Sequence, residues 1–399
     1  MSKQVLEGVK VLSFEGAIVG PWTTKHLVDH GAQVIRIETG TRGNPQENTR
    51  QALLGTWINV LSTDKYRILL NLKNPESRMV VDKAIRWADV ITENFTPGSM
   101  SKLGLDYESV RRVKPDIIYV STCIFGQTGP NAPLGGTDGF AQAASGRTFL
   151  SGWPDRGGLT PASYPYGDGT PPIFNAMAIV AALDYRRRTG RGQYIDVSMT
   201  EICANQITEA FLDWKANARL QTRIGNRNSY ASPHGVFPCQ GDDRWCAIAV
   251  FSEGEWDAFC KVIGNPLWTR ESRFSSLKLR KDNEDELEKL TADWTRGHSA
   301  EEVMFSMQAA GVAAGVVQNA RDLQEHDPQL KAREWLVSLE HPVLGVFGHP
   351  TPPYKLSKTK AEVKRTFSSI GEDTEYVCTS ILGIAREEFD RLSKQGIFT

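Results

Sequence analysis

Asp168 stands between Gly167 and Gly169 in the stretch YGDGTPPIFNAMAIVAAL, directly ahead of a long apolar run. A carboxylate flanked by glycines has two uses. In an Asx-type turn it bonds to its own backbone, the commoner role for an isolated Gly-Asp-Gly. Alternatively it is there for chemistry, the glycines keeping side-chain bulk away from it. Thr170 followed by Pro171 and Pro172 is a good helix start, so Asp168 is not needed as a cap. Ile173, Phe174, Met177, Ile179, Val180 and Leu183 lie around most of the following helix, which predicts that it is buried. Gln142, in FAQAASG, is either a second polar group of a site or a turn-stabilising amide.

Other candidate chemistries are weaker. His26 and His30 share a helix face at i, i+4, but no third ligand has suitable spacing, so no metal is expected. Six scattered cysteines without a CxxC pair read as reduced, buried thiols. The histidines give no Ser-His-Asp set, and RRRTGRGQ from Arg186 reads as a solvated helix end. With 46 basic against 47 acidic residues the chain has no global field for nucleic acid or a membrane, so an anionic ligand must be held by a few local cations. MSKQVLEGVKVL lacks the order of a signal peptide and no stretch of about 18 residues is free of charge, which points to a cytoplasmic protein.

The elements that must position Asp168 read as alternating strands and helices. VKVLSF (9–14) is a strand. A turn with Gly16 and Gly20 follows, then a helix from Pro21 to Gly31 and the strand QVIRIE ending at Glu38. RILLNL from Arg67, DVITENF from Asp89 and DIIYVS from Asp116 are further strands, with helices from near Pro75 and Asp106. This order implies a doubly wound parallel sheet, with ligands beyond the carboxyl ends of its strands, where Lys73, Asn94 and Phe95 lie. The first turn, GAIVGP, lacks G-x-G-x-x-G, which argues against a nicotinamide cofactor. At 399 residues more than one core is expected. From about Asn228 the texture changes to a hairpin, PHGVFPCQGDDRWCAIAVF, and Glu- and Lys-rich helices up to about Ala310. Short strands then return, and a polar helix near Ala385 to Lys394 ends the chain.

Five segments carry a resemblance. VGPWTTKHLVDHGAQVIRIE, ENFTPGSMSKLGLDYESVRRVKPDIIYVS, FGQTGPNAPLGGTDGFAQAASG, YGDGTPPIFNAMAIVAALDYRRRTGRGQYIDVSM and AAGVAAGVVQNARDLQEHDPQLKAREW run in order from about Gly8 to the C-terminus. Together they resemble the class III CoA-transferases, the CaiB/BaiF family. The resemblance implies that Asp168 is the nucleophile and that CoA transfer passes through an aspartyl mixed anhydride. Backbone N–H groups of the Gly167 and Gly169 region would then face the tetrahedral oxyanion, and Gln142 would approach the acyl group. It places contacts to coenzyme A on Ala17, Ile18 and Val19, on Leu70 and Lys73, on Asn94 and Phe95, and on Lys102 and Leu103. Thr39 stands where some members carry an arginine beside the nucleotide, and Arg36 or Arg50 is the expected replacement. The run of glycines that closes the site in some members is reduced to Gly225 and Gly235 in GNRNSYASPHG, which leaves the lid unassigned.

The expected chain is an α/β enzyme: a Rossmann-like large domain over residues 1–220, a smaller α+β domain over 225–325, and a return over 330–399 that completes the large domain. By resemblance it forms an interlocked dimer, either of like chains or with a paralogous subunit. The expected reaction moves CoA from an acyl-CoA such as succinyl-CoA to a free acid, with no covalently bound cofactor. Trp153, Tyr164, Tyr166 and Tyr230, in segments expected to converge, weigh toward a bulky or aromatic acceptor. Racemases of α-methylacyl-CoA share the fold and place a histidine before the aspartate of the GxD segment. Here that position is Thr137, which cannot exchange a carbon-bound proton at neutral pH.

Overall fold

A computed structural model describes residues 4–39, 57–156 and 165–399. Six strands, β1 (Lys10–Phe14), β2 (Gln33–Glu38), β3 (Tyr66–Leu69), β4 (Val90–Glu93), β5 (Ile118–Cys123) and β6 (Gln193–Ser198), form one sheet in the order β3-β2-β1-β4-β5-β6. Every pairing is parallel. The order reverses between β1 and β4, so a crevice opens beyond their carboxyl ends. β2 begins and ends where the residue pattern placed it. β3 and β4 are shorter than RILLNL and DVITENF, because the chain turns away at Leu70 and at Asn94.

Helices cover the sheet. α1 (Val19–Val28) starts two residues before Pro21, which therefore sits inside the first turn, where its missing N–H costs nothing. α2 (Ser77–Trp87) buries Val80, Val81, Ala84 and Ile85, at roughly 1.5–3 kcal/mol for each of the larger side chains. α3 (Tyr107–Val113) is capped by Asp106, which accepts from the Ser109 N–H at 3.1 Å. α4 (Asp138–Ala144), the single turn α5 (Tyr166–Gly169), α6 (Pro171–Thr189), α7 (Met199–Asn205) and α8 (Thr208–Asn217) complete this part of the chain.

The expectation that α6 is buried around its circumference is corrected. Asn175, Ile179 and Ala182 face inward, and the Asn175 Nδ2 donates to Thr23 Oγ1 on α1 and Thr122 Oγ1 on β5, both at 2.9 Å. Ile173, Phe174, Met177 and Val180 are 43–64% exposed. One face of an apolar helix packs on its own sheet and the other is left exposed among the described residues. Thr170, expected as its cap, has helical backbone angles and makes no side-chain cap bond.

A second unit contains β7 (His234–Pro238), β8 (Trp245–Ala249) and β9 (Ala313–Val316) in one antiparallel sheet, with α9 (Glu253–Val262), α10 (Glu284–Thr295) and α11 (Ala300–Ala309). Ser252 and Ser299 open α9 and α11 with reciprocal caps to Glu255 and Glu302. Two compact units result: Met1–Thr148, Pro161–Leu220 and Arg333–Thr399 make the first, and Phe149–Thr160 with Gln221–Ala332 the second. In the first, the returning chain forms the hairpin β10 (Leu336–His341) and β11 (Gly345–Pro350) and ends in α12 (Arg386–Lys394). It docks on the β3 edge, where the Arg67 N–H donates to Asp373 Oδ2 at 2.9 Å and the Asn71 N–H to the Ile397 carbonyl at 2.7 Å. No described helix is long and apolar enough to cross a membrane.

Candidate active site

Below the crevice lies a buried ion cluster. Glu15, just past β1, meets Lys65 Nζ at 3.1 Å and Arg36 Nε at 3.6 Å, and accepts from the Ser13 and Thr24 hydroxyls. Burial alone would raise its pKa, yet the Lys65 and Arg36 charges prevail and hold it below the usual carboxylate range. Above it, the first turn is clamped. Asn94 Oδ1 accepts from the Gly16 N–H and Asn94 Nδ2 donates to the Gly16 carbonyl, both at 2.8 Å. A Cβ on Gly20 would come within 2.7 Å of Asn94 Oδ1 and of the Glu15 Cβ, so glycine there admits the clamp. Glu93 accepts from the Phe95 N–H at 2.8 Å, and burial pushes its carboxyl up to about 7.

The turn and the clamp form one wall of a cleft of about 140 Å³, whose lining includes Ala17, Val19, Asn94, Phe95, Cys123, Thr137 and Asp168. Asp168 arrives on α5, held between α4, α6 and α7. Its amide donates to the Pro165 carbonyl and to Asp138 Oδ1, each at 3.0 Å. Asp138 Oδ2 accepts in turn from Gln142 Nε2 at 2.6 Å. Burial, and behind it the Asp138 charge, push the Asp168 carboxyl up to about 6. Near neutrality it is therefore mostly ionised and more basic than an ordinary aspartate. Cys123, the other nucleophilic atom type on the wall, is pushed by burial up to about 11 and stays a thiol. The cleft thus pairs an ionised, partly desolvated carboxylate with a glycine-rich turn at a sheet switch point, an arrangement suited to acyl transfer through a covalent carboxylate.

The model of CoA-transferase family III matches residues 6–374. The chain belongs to this family. It is 27% identical over 395 residues to the succinyl-CoA–D-citramalate CoA-transferase of Chloroflexus aurantiacus, covering 98% of both chains. It is 32% identical over 343 residues to the acetyl-CoA:oxalate CoA-transferase of Acetobacter aceti, covering 84% of this chain and 86% of that one. A CaiB/BaiF family protein from Brucella suis has the same fold, with a TM-score of 0.85 and 25% identity over 95% of this chain and all of that one.

The transferase brings together only part of the expected site. Ala17, Val19, Asn94 and Phe95 share the cleft with Asp168; Ile18 is half-buried beside them. Leu70 is not on the surface at all. It is fully buried in the sheet core and its N–H donates to the Glu38 carbonyl. Arg36 is also corrected: it is buried, and its guanidinium is taken up by Glu15, Glu38 and Ser62, so it does not replace the arginine absent at Thr39. Arg50 and Tyr164 lie outside the described residues. Lys73 and Lys102 are exposed and Leu103 packs on the core, all three away from the cleft wall. Gln142 is fully buried beneath Asp138 rather than facing an acyl group. The Gly169 amide, expected to face the oxyanion, donates to the Pro165 carbonyl at 2.7 Å. Tyr166 lies under the Arg147 guanidinium, 3.6 Å from the ring centre, while Trp153 and Tyr230 belong to the second unit. None of these three aromatics lines the cleft. The residue that the sequence reading missed is Asp138, whose signal was its i, i+4 spacing to Gln142 on one helix.

Proposed function

We propose that this family III transferase moves CoA from an acyl-CoA to a short dicarboxylic acid through a covalent relay on Asp168. An Asp168 oxygen attacks the acyl carbonyl, the C–S bond breaks, and the CoA thiolate leaves an acyl–aspartyl anhydride. The thiolate attacks the aspartyl carbonyl, the anhydride C–O bond breaks, and the donor acid departs as a carboxylate, leaving an aspartyl–CoA thioester. The acceptor carboxylate reverses the two steps, and CoA leaves on the acceptor. The observation that carries this reading is the ionised, partly buried Asp168 in the same cleft as Ala17, Val19, Asn94 and Phe95. Exposed Gly135 and Gly136, also on the wall, are the backbone positions proposed to face the oxyanion in place of Gly169.

The acceptor class follows relatives that act on D-citramalate and oxalate. Among the described residues Phe95 is the only aromatic on the cleft wall, which gives little support to an aromatic acid. No histidine lines the cleft among the described residues, which counts against proton exchange at the α-carbon. The exposed apolar face of α6 supports assembly with a second copy, the interlocked dimer implied by resemblance. The test is purified enzyme with succinyl-CoA or acetyl-CoA against a panel of mono- and dicarboxylic acids in deuterated buffer. Formation of the dicarboxylic acyl-CoA without α-deuterium supports the reading. Deuterium uptake with no acceptor acid would overturn it.

A further inference from the structure

We propose that Asp138 is a positioning residue for the nucleophile: one carboxylate oxygen holds the Asp168 amide, the other is tied to Gln142, and Gly167 is the glycine that lets this carboxylate in. The inference rests on reading Asp168 as the nucleophile. The hydrogen bonds at 3.0 and 2.6 Å run from the Asp168 backbone through one carboxylate to a fully buried side chain on the same helix. A Cβ on Gly167 would stand 2.8 Å from Asp138 Oδ1 and 3.0 Å from the Asp138 carbonyl oxygen. Asp138 cannot retreat without leaving Gln142. The first glycine of the YGDG stretch therefore serves the approach of Asp138.

A second carboxylate beside a nucleophilic one is adverse to charge, because like charges repel. It is useful to the chemistry, because a more basic oxygen is a better nucleophile as long as it remains ionised at the working pH. The other groups that face this turn do not supply that charge. Cys203 on α7 has its pKa raised by burial and is neutral, as is Cys123 at the end of β5. α1 brings Val19 to the cleft and α6 begins with Pro171 and Pro172. Arg147 is the nearby cation, and its guanidinium is engaged by the Tyr166 ring and by Gln206 at 3.0 Å. Among the described residues, Asp138 is the charged group acting on Asp168.

The test compares pH profiles of kcat/KM for the wild type, Asp138→Asn and Asp138→Ala. Asparagine keeps an acceptor for the Asp168 amide, and its NH2 can donate to Gln142 Oε1, which is buried without a partner, so geometry survives while the charge is removed. The acid limb should then move down by roughly half a pH unit or more, with KM for acyl-CoA changed less than about threefold. Alanine loses the hold as well, and kcat should fall roughly 10- to 100-fold. An acid limb that stays in place in Asp138→Asn, with wild-type kcat in Asp138→Ala, would overturn the inference. Should both variants fail to fold, Gln142→Ala decides, since it removes the tie on Asp138 and leaves both carboxylates in place: a kcat lowered at least about threefold at unchanged KM for acyl-CoA is expected, and wild-type kcat contradicts the inference. If Asp168→Ala itself retained transfer, the nucleophile reading would fail whatever Asp138 does. If Asp168→Ala is dead and the Asp138 variants behave as wild type, only the present inference fails.

Discussion

Asp168 holds its proton more tightly in the folded chain than in the unfolded one, so the same group that serves the reaction works against stability. Its carboxyl titrates at 3.8 in the reference state and at about 6 when folded. Stability is therefore lost as pH rises through that window, and the deficit is complete above it. Replacing Asp168 by Asn removes the deficit. At pH 8 the variant should be more stable than the wild type by roughly 2–3 kcal/mol, with the gap closing below pH 4. Transfer should fall at least about a thousandfold in the same variant. Urea unfolding at several pH values, beside an activity assay, checks both; a variant less stable than the wild type at pH 8 would contradict the burial argument. Asp168 was singled out in the sequence by the family resemblance of the segments around it, since a Gly-Asp-Gly by itself is more often a turn. Its neighbour Asp138, thirty positions earlier, was not, since only the fold brings α4 under α5.

Among the elements, the first turn depends on what lies beneath it. Lys65 is fully buried with Glu15, and its charge holds that carboxylate ionised. Lys65→Met should leave Glu15 with Arg36 as its one cation and cost about 3–5 kcal/mol, since breaking a buried pair strands a charge in a poor solvent. Denaturant midpoints would show it; a loss below about 1 kcal/mol would mean that Arg36 compensates alone. Asn94→Ala unclamps Gly16 while leaving the Glu15 cluster intact. It should raise KM for acyl-CoA roughly tenfold with little change in stability, measurable by steady-state kinetics. Five of the six strands were readable because parallel strands carry apolar runs that end in turn residues; β6 and the spatial order of the sheet came only with the fold. The direction of individual charges was not readable either. Arg36 alternates with apolar neighbours in QVIRIE as a surface residue would, and only the register of β2, which sets it opposite Ser13 on β1, puts it against Glu15. Leu70, named by resemblance as a contact to coenzyme A, has its side chain in the core.

At the scale of the whole molecule, the exposed stripe of Ile173, Phe174, Met177 and Val180 on α6 asks for a partner. Their periodicity showed an apolar helix on every side; the fold buries one face and leaves the other exposed among the described residues, which is the face on which the proposed second copy would pack. Met177→Glu with Val180→Glu should shift the assembly toward monomer in sedimentation equilibrium, because each charge would have to be desolvated at the interface. An unchanged dimer would place the contact elsewhere. The relay itself is tested most directly by trapping. Enzyme and acyl-CoA, mixed without acceptor acid and quenched with hydroxylamine, should yield a hydroxamate on the peptide containing Asp168, found by mass spectrometry, and none in Asp168→Asn. Transfer proceeding at full rate while Asp168 stays unmodified would contradict the account.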